Sequence, residues 1–180
     1  MYHKLWRTLF IAVLGLGLPF PALAGGAYDS CHPTTTAGGF SPMFRICGDV
    51  NTPTTLNLKD LQSLSPTTEN LFFYTGSGPV QGEFTGVLLW DLLNTAGIKT
   101  NPNIKNDILT KIIEVTGTDG YTADISAGEL DPAFGGQQVI VAYAQNGALL
   151  GPNSGFAELI FPGDKAGGRD VYWINLIKVK

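Results

Sequence analysis

Apolar residues in this chain fall in short runs, most of them bounded by glycine, proline or asparagine. The first run, residues 9–18, is uncharged, follows Lys4 and Arg7, and stops at Pro19 and Pro21. Residues 25–43 carry Gly, Thr, Ser and Pro with few core formers, the composition of an extended lead-in. Alternation over 54–58 predicts a short strand, and Leu58, Leu61 and Leu64 at helical spacing predict a brief helix ended by Pro66. Residues 71–75 read as a compact aromatic strand, and 76–82, Gly-Ser-Gly-Pro-Val-Gln-Gly, as a loop. The clearest helix is 87–96, where Leu88, Leu89, Leu92, Leu93 and Ala96 form one apolar face and Gly97 suits a left-handed cap.

The second half reads as strands. Residues 108–115 are apolar enough to be buried, Asp119-Gly120 is a hairpin signal, and 121–125 is the return strand. A central strand is expected over 139–144, turned by Asn146-Gly147 into 148–150, with further strands at 156–161 and 171–179. Strands with two short helices, without a βαβα alternation, predict an α+β domain with a mixed β-sheet and a few short helices.

Composition adds a compartment. The basic start, short apolar run and Ala22-Leu23-Ala24 match a cleavable signal peptide over 1–24, so the mature chain is expected to be exported, to a bacterial periplasm or beyond. The alternative, a retained membrane anchor, needs roughly 20 apolar residues, and no later segment could span a bilayer. Removing 24 of 180 residues leaves 156, one domain's worth, and takes two of the 11 basic residues and none of the 15 acidic ones. The mature chain is thus acidic and has no Lys/Arg cluster, which argues against nucleic acid and anionic lipid as partners. Its partners are expected to be a small molecule or an envelope protein.

Cys31 and Cys47 form an even pair in an exported chain, which predicts one disulfide. The bridge would tether the lead-in, at about 3 kcal/mol in the chain-entropy model. The alternative is a metal site or reactive thiol, for which His32 is the one mature histidine available.

Five segments, taken in order, resemble the molybdopterin-binding domain of the sulfite oxidase family. Residues 46–61 resemble its opening strand and helix, and Phe84-Thr85-Gly86-Val87-Leu88-Leu89-Trp90-Asp91-Leu92-Leu93 with Ala96-Gly97 resembles its "F-x-G-V-x-L-x-x-L-L…A-G" segment. Asp119-Gly120-Tyr121 resembles its "DGY" hairpin and 141–150 its "LAY-x-x-x-G-x-x-L" hairpin. Residues 155–162 followed by Tyr172-Trp173-Ile174 resemble its ending. The resemblance implies that fold over 44–180 and an oxidoreductase ancestry.

What the family uses for chemistry is altered here. Its molybdenum-binding cysteine would follow the strand ending near Thr75, where this chain reads Tyr74-Thr75-Gly76-Ser77-Gly78. Oxygen from Tyr74 or Ser77 is a poor substitute for a soft sulfur ligand. The family's closing histidine falls near Ser154, its arginine at Glu158 and its lysine at Tyr172. An acid facing the pterin phosphate would be strongly unfavourable. Arg169 and Lys165, in a Gly-rich loop with Asp164 and Asp170, are expected to be solvated. The expectation is therefore a binding or accessory module with no cofactor, no catalytic residue and no metal. Its ancestral pocket would be lined by Tyr74, Ser77, Asp119, Tyr121 and Ser154. The alternative is a molybdopterin-dependent oxidoreductase with a non-cysteine metal ligand. Two further possibilities are weaker: His32 as a base, and the 76–82 loop as an anion nest.

Overall fold

The computed structural model describes residues 31–34, 38–39 and 41–180. The expected signal peptide and most of the lead-in lie outside the described residues. In chain order the elements begin with β1 (Met43–Gly48), β2 (Thr54–Asn57), α1 (Leu58–Gln62), β3 (Thr67–Thr75), β4 (Gly78–Leu88) and α2 (Leu89–Ala96). Then follow β5 (Ile112–Gly117), β6 (Thr122–Ser126), α3 (Ala127–Leu130), β7 (Ile140–Gln145), β8 (Ala148–Leu149), β9 (Glu158–Ile160) and β10 (Ile174–Val179). The α+β class holds, but the strands form two sheets rather than one. The first has the order β2-β1-β10-β5-β6 and is mixed, because β1 and β10 run parallel. The second has the order β3-β4-β7-β8, with β9 also on β7, and its pairs are antiparallel.

The helices form where local rules ask for them. Asn57 caps α1, its side chain accepting the Lys59 N–H at 2.8 Å while Asp60 accepts the Asn57 N–H at 2.8 Å, a reciprocal capping box. Helix α2 buries Leu89, Leu92, Leu93 and Ala96 and stops at Gly97, whose φ of 72° few other residues would tolerate. These side chains join Phe44, Ile46, Ile113, Val115, Leu159 and Ile177 in the main core. A second cluster, Phe73, Phe84, Ile140, Ala142 and Ile160, lies along the other sheet.

Four boundaries depart from the sequence reading. The expected loop 76–82 is mostly strand: β4 starts at Gly78 and pairs with β3 from Thr75↔Gly78 to Thr67↔Gly86. Its glycines and proline disguised it, yet Gly86 is there because a Cβ would lie 2.2 Å from the Val141 carbonyl oxygen of β7. The helix expected from 87 starts at Leu89, since Val87 and Leu88 still pair with Val141 and Ile140. The strand expected at 108–115 begins only at Ile112, as β5, because Asp107–Thr110 form a 3-10 turn ahead of it. The last strand starts at Ile174 rather than 171, because Trp173 adopts φ 49° and breaks the extended run.

The disulfide Cys31–Cys47 is present, with Cα atoms 5.7 Å apart, and both residues are buried with Leu176. It ties the described lead-in residues to the first sheet. The Thr34 N–H donates to Asn175 Oδ1 at 2.6 Å, and the Ser41 hydroxyl donates to the Ile174 carbonyl. Among the described residues no helix is long and apolar enough to cross a membrane.

Candidate binding cavity

Segment 161–173, which joins β9 to β10, is stitched to both sheets. The Tyr74 N–H donates to the Lys165 carbonyl at 3.1 Å and the Gly167 N–H to the Tyr74 carbonyl at 2.9 Å, so the segment adds to the outer edge of β3. Further on, Leu159 and Val171 exchange N–H···O bonds of 2.9 and 3.2 Å. Trp173 then turns the chain, its N–H on the Ser154 carbonyl at 2.8 Å and its indole Nε1–H on the Pro152 carbonyl at 2.6 Å. A tryptophan in the left-handed region is strained, and here packing on Gly155 holds it there.

Between this segment, the end of β3 and the β5–β6 hairpin turn lies a cavity of about 550 Å³. That size suits a small-molecule ligand. Tyr74, Ser77, Asp119 and Tyr121, four of the residues expected at a pocket, share its wall with Asp170 and Tyr172. Asp119 accepts the Tyr121 N–H at 3.0 Å, as its turn position required. The Tyr121 hydroxyl donates to the Gly168 carbonyl, bracing the hairpin against the opposite wall. Ser154 does not line the cavity; it lies behind the wall, its side chain hydrogen-bonded to Glu158.

Sequence reasoning missed two buried acids, Asp170 on the wall and Glu158 outside the lining. Glu158 is 4% exposed, and its Oε2 is buried without a hydrogen-bond partner among the described residues. Burial, opposed by the Ser154 hydrogen bond and assisted by the charge of Asp170, raises its pKa to about 7. Asp170 is 7% exposed and accepts the Phe161 N–H at 3.2 Å. Burial raises its pKa to about 6; the Phe161 N–H and Arg169 lower it and Asp164 raises it. The Tyr172 hydroxyl is pushed up by burial and then by Glu158 and Asp170. The three groups are therefore electrostatically coupled, Asp170 and Tyr172 from the cavity wall and Glu158 from outside its lining. The Oγ1 of Thr118, beside Asp119, is also buried and unpartnered among the described residues.

Arg169 is not solvated as expected. Its guanidinium makes two 2.9 Å bonds to Asp164, reaches Glu129 at 3.5 Å and lies 4.0 Å over the Phe161 ring. It is committed to the face of the loop away from the cavity, and its side chain does not line the wall. The 76–77 segment is an ordinary hairpin turn, closed by the Thr75 hydroxyl on the Gly78 carbonyl at 2.9 Å. His32 lies near Met43, Arg45 and Asn175, not at this cavity. Among the described residues no group of three His, Cys, Asp or Glu side chains is placed to hold a metal ion.

Known proteins share this architecture. The chain is similar to the sulfane dehydrogenase SoxCD of Paracoccus pantotrophus, with a TM-score of 0.64 at 21% identity, over 81% of this chain and 40% of that one. A nitrate reductase [NADPH] of Phytophthora infestans is 38% identical over 110 residues, which are 60% of this chain and only 12% of that protein. The chain thus spans a minor part of either protein's length. The family model for the oxidoreductase molybdopterin binding domain matches residues 41–180, so the chain belongs to that family, as the resemblance of its motifs implied.

Proposed function

We propose that this protein is an exported binding or accessory module that keeps the molybdopterin-binding fold without molybdenum catalysis. The observation that carries this reading is the chemistry of the cavity wall: Asp119 and Asp170 stand there, with no cysteine and no cation. The two cysteines are joined to each other and buried with Leu176 of β10. Molybdenum held through a protein sulfur needs a free thiolate, and the nearest equivalents on the wall are the hydroxyls of Tyr74 and Ser77. A pterin phosphate needs cations or aimed N–H groups, whereas the wall holds the carboxyls of Asp119 and buried Asp170. The residues present do not fit the group.

Export is part of the same proposal. The disulfide supports it, because such bridges persist in oxidising compartments. The ligand would be a small molecule, with an envelope protein as the other partner class.

A second reading keeps the activity: a molybdopterin-dependent oxidoreductase whose metal is held by oxygen. Family membership and the oxidoreductase names of the relatives favour it, as does the presence of Tyr74 and Ser77 on the cavity wall. Elemental analysis separates the two. Protein purified from a host that makes molybdenum cofactor is expected to contain neither molybdenum nor releasable fluorescent pterin. Near-stoichiometric amounts of both would overturn the first reading and establish the second.

A further inference from the structure

The cavity is built around negative charge. Gly117 and Gly167 stand where a side chain would collide with its carboxylates. A Cβ on Gly117 would lie 2.7 Å from Asp119 Oδ1, and one on Gly167 would lie 2.5 Å from Asp170 Oδ2. At Gly167 the missing side chain leaves room for Asp170, whereas at Gly117 the nearest obstacle is the Tyr172 carbonyl oxygen at 2.4 Å, with Asp119 next. A third acid, Glu158, lies behind them with Oε2 unpartnered among the described residues.

A buried acid without a cation is unfavourable, and two that repel each other are more so. The one guanidinium nearby, that of Arg169, is bound to Asp164 and Glu129 instead. Three tyrosines complete the wall: Tyr74, Tyr121 and Tyr172 keep 57%, 47% and 37% of their surface exposed. Aromatic rings beside carboxylates attract cations through both the ring quadrupole and charge. The acidic chain as a whole repels anions.

We propose that the cavity binds a small organic cation, an ammonium or alkylated ammonium group, held among Tyr74, Tyr121 and Tyr172 and against the carboxylates of Asp119 and Asp170. The proposal rests on the reading that this cavity no longer takes the pterin. It names the ligand class that such a module would serve.

Binding would be coupled to protons. Glu158 faces Asp170, Tyr172 and the Ser154 hydroxyl, and Asp170 faces Glu158, Asp164, Arg169 and the Phe161 N–H. Only the ionised carboxyls attract a cation, so affinity rises as pH climbs through about 6 and about 7 and then levels off.

The test is calorimetric titration of the purified protein with choline and with tetramethylammonium, with acetate and inorganic phosphate as anion controls at matched ionic strength. At a pH of about 8 we expect saturable choline binding with a Kd of about 1 mM or tighter, weakened at least about tenfold at a pH of about 5. Asp170→Asn, which keeps an acceptor for the Phe161 N–H, should weaken binding about tenfold. Tyr74→Ala, at a mostly exposed position that folding should tolerate, should weaken it several-fold. Choline-competable sedimentation with phosphatidylcholine vesicles would assign the cation to a lipid headgroup, and binding of free choline alone to a soluble ligand. Absence of saturable binding by either cation overturns the proposal. So does preferential phosphate binding, or unchanged affinity in folded Asp170→Asn. Molybdenum-free protein that ignores cations defeats this inference and leaves the accessory-module reading standing. Molybdenum-loaded protein defeats that reading, whatever choline does.

Discussion

Arg169 and Asp170 are chain neighbours, yet they serve opposite faces of one loop. On the outer face Arg169 is shared by Asp164, Glu129 and the Phe161 ring, so every charge has a partner. On the inner face Asp170 and Glu158 are buried together, with one N–H and one hydroxyl between them. A single turn of backbone thus separates a compensated ion network from an uncompensated one. Proteins tolerate the second kind mainly where a ligand or a proton completes it. The contrast is the basis on which the inner face is proposed as the binding face.

Three measurements test that contrast. The largest effect is expected at Glu158. Its folded pKa lies above the ordinary value, so the folded state holds a proton that the unfolded state has released. Stability is therefore full below a pH of about 4.5 and declines until about 7, by about 3 kcal/mol for this group alone. Urea denaturation between these limits should show the decline, and Glu158→Gln should remove most of it. A variant with an unchanged pH profile would mean that Glu158 is not the strained acid described above.

A smaller effect is expected on the outer face. Arg169→Met keeps the stem over Phe161 but strips Asp164 and Glu129 of their partner. Because the Arg169 side chain is 35% exposed, screening limits the loss to about 1 kcal/mol. It should also push the Asp170 ionisation higher, since Arg169 holds it down, and carboxyl NMR titration would detect that shift. An unmoved Asp170 would mean that the two faces are electrically separate. The smallest effect is expected far from the cavity, at the Lys111–Asp49 pair, where Asp49 is half exposed. Lys111→Ala should change stability by only a few tenths of a kcal/mol, read by the same denaturation curve. A loss as large as that at Arg169 would show that exposed pairs matter as much as the loop network.

Much of the cavity was legible because its parts sit in recognisable turns. Asp119-Gly120-Tyr121 announces a hairpin, and the aromatic run 71–75 announces the strand whose end supplies Tyr74 and Ser77. Ser154 was placed on the same wall by analogy, but the turn at Trp173 brings its backbone against β10 and its hydroxyl to Glu158. Asp170 and Tyr172 were hidden, because a carboxylate in a Gly-rich loop looks solvated until β3 and Phe73 close over it. Arg169 was misjudged for the same reason: its partner Glu129 is 40 residues away in α3.

Local patterning determined the elements with their own signals: the capped α1, the amphipathic α2 with Gly97, the hairpins at 119–120 and 146–147, and the Cys31–Cys47 bridge. Hydrogen bonds and apolar faces within a few residues suffice for these, apart from the bridge, which compartment and cysteine count announced. The tertiary structure alone decided that the strands divide between two sheets, that the glycine-rich 78–88 segment is a strand, and that Glu158 is a buried acid beside Asp170. Each of these depends on a partner distant in the chain. Burial, which sets whether a carboxyl is solvated or strained, is a property of the packed neighbours and is written in no single stretch of sequence.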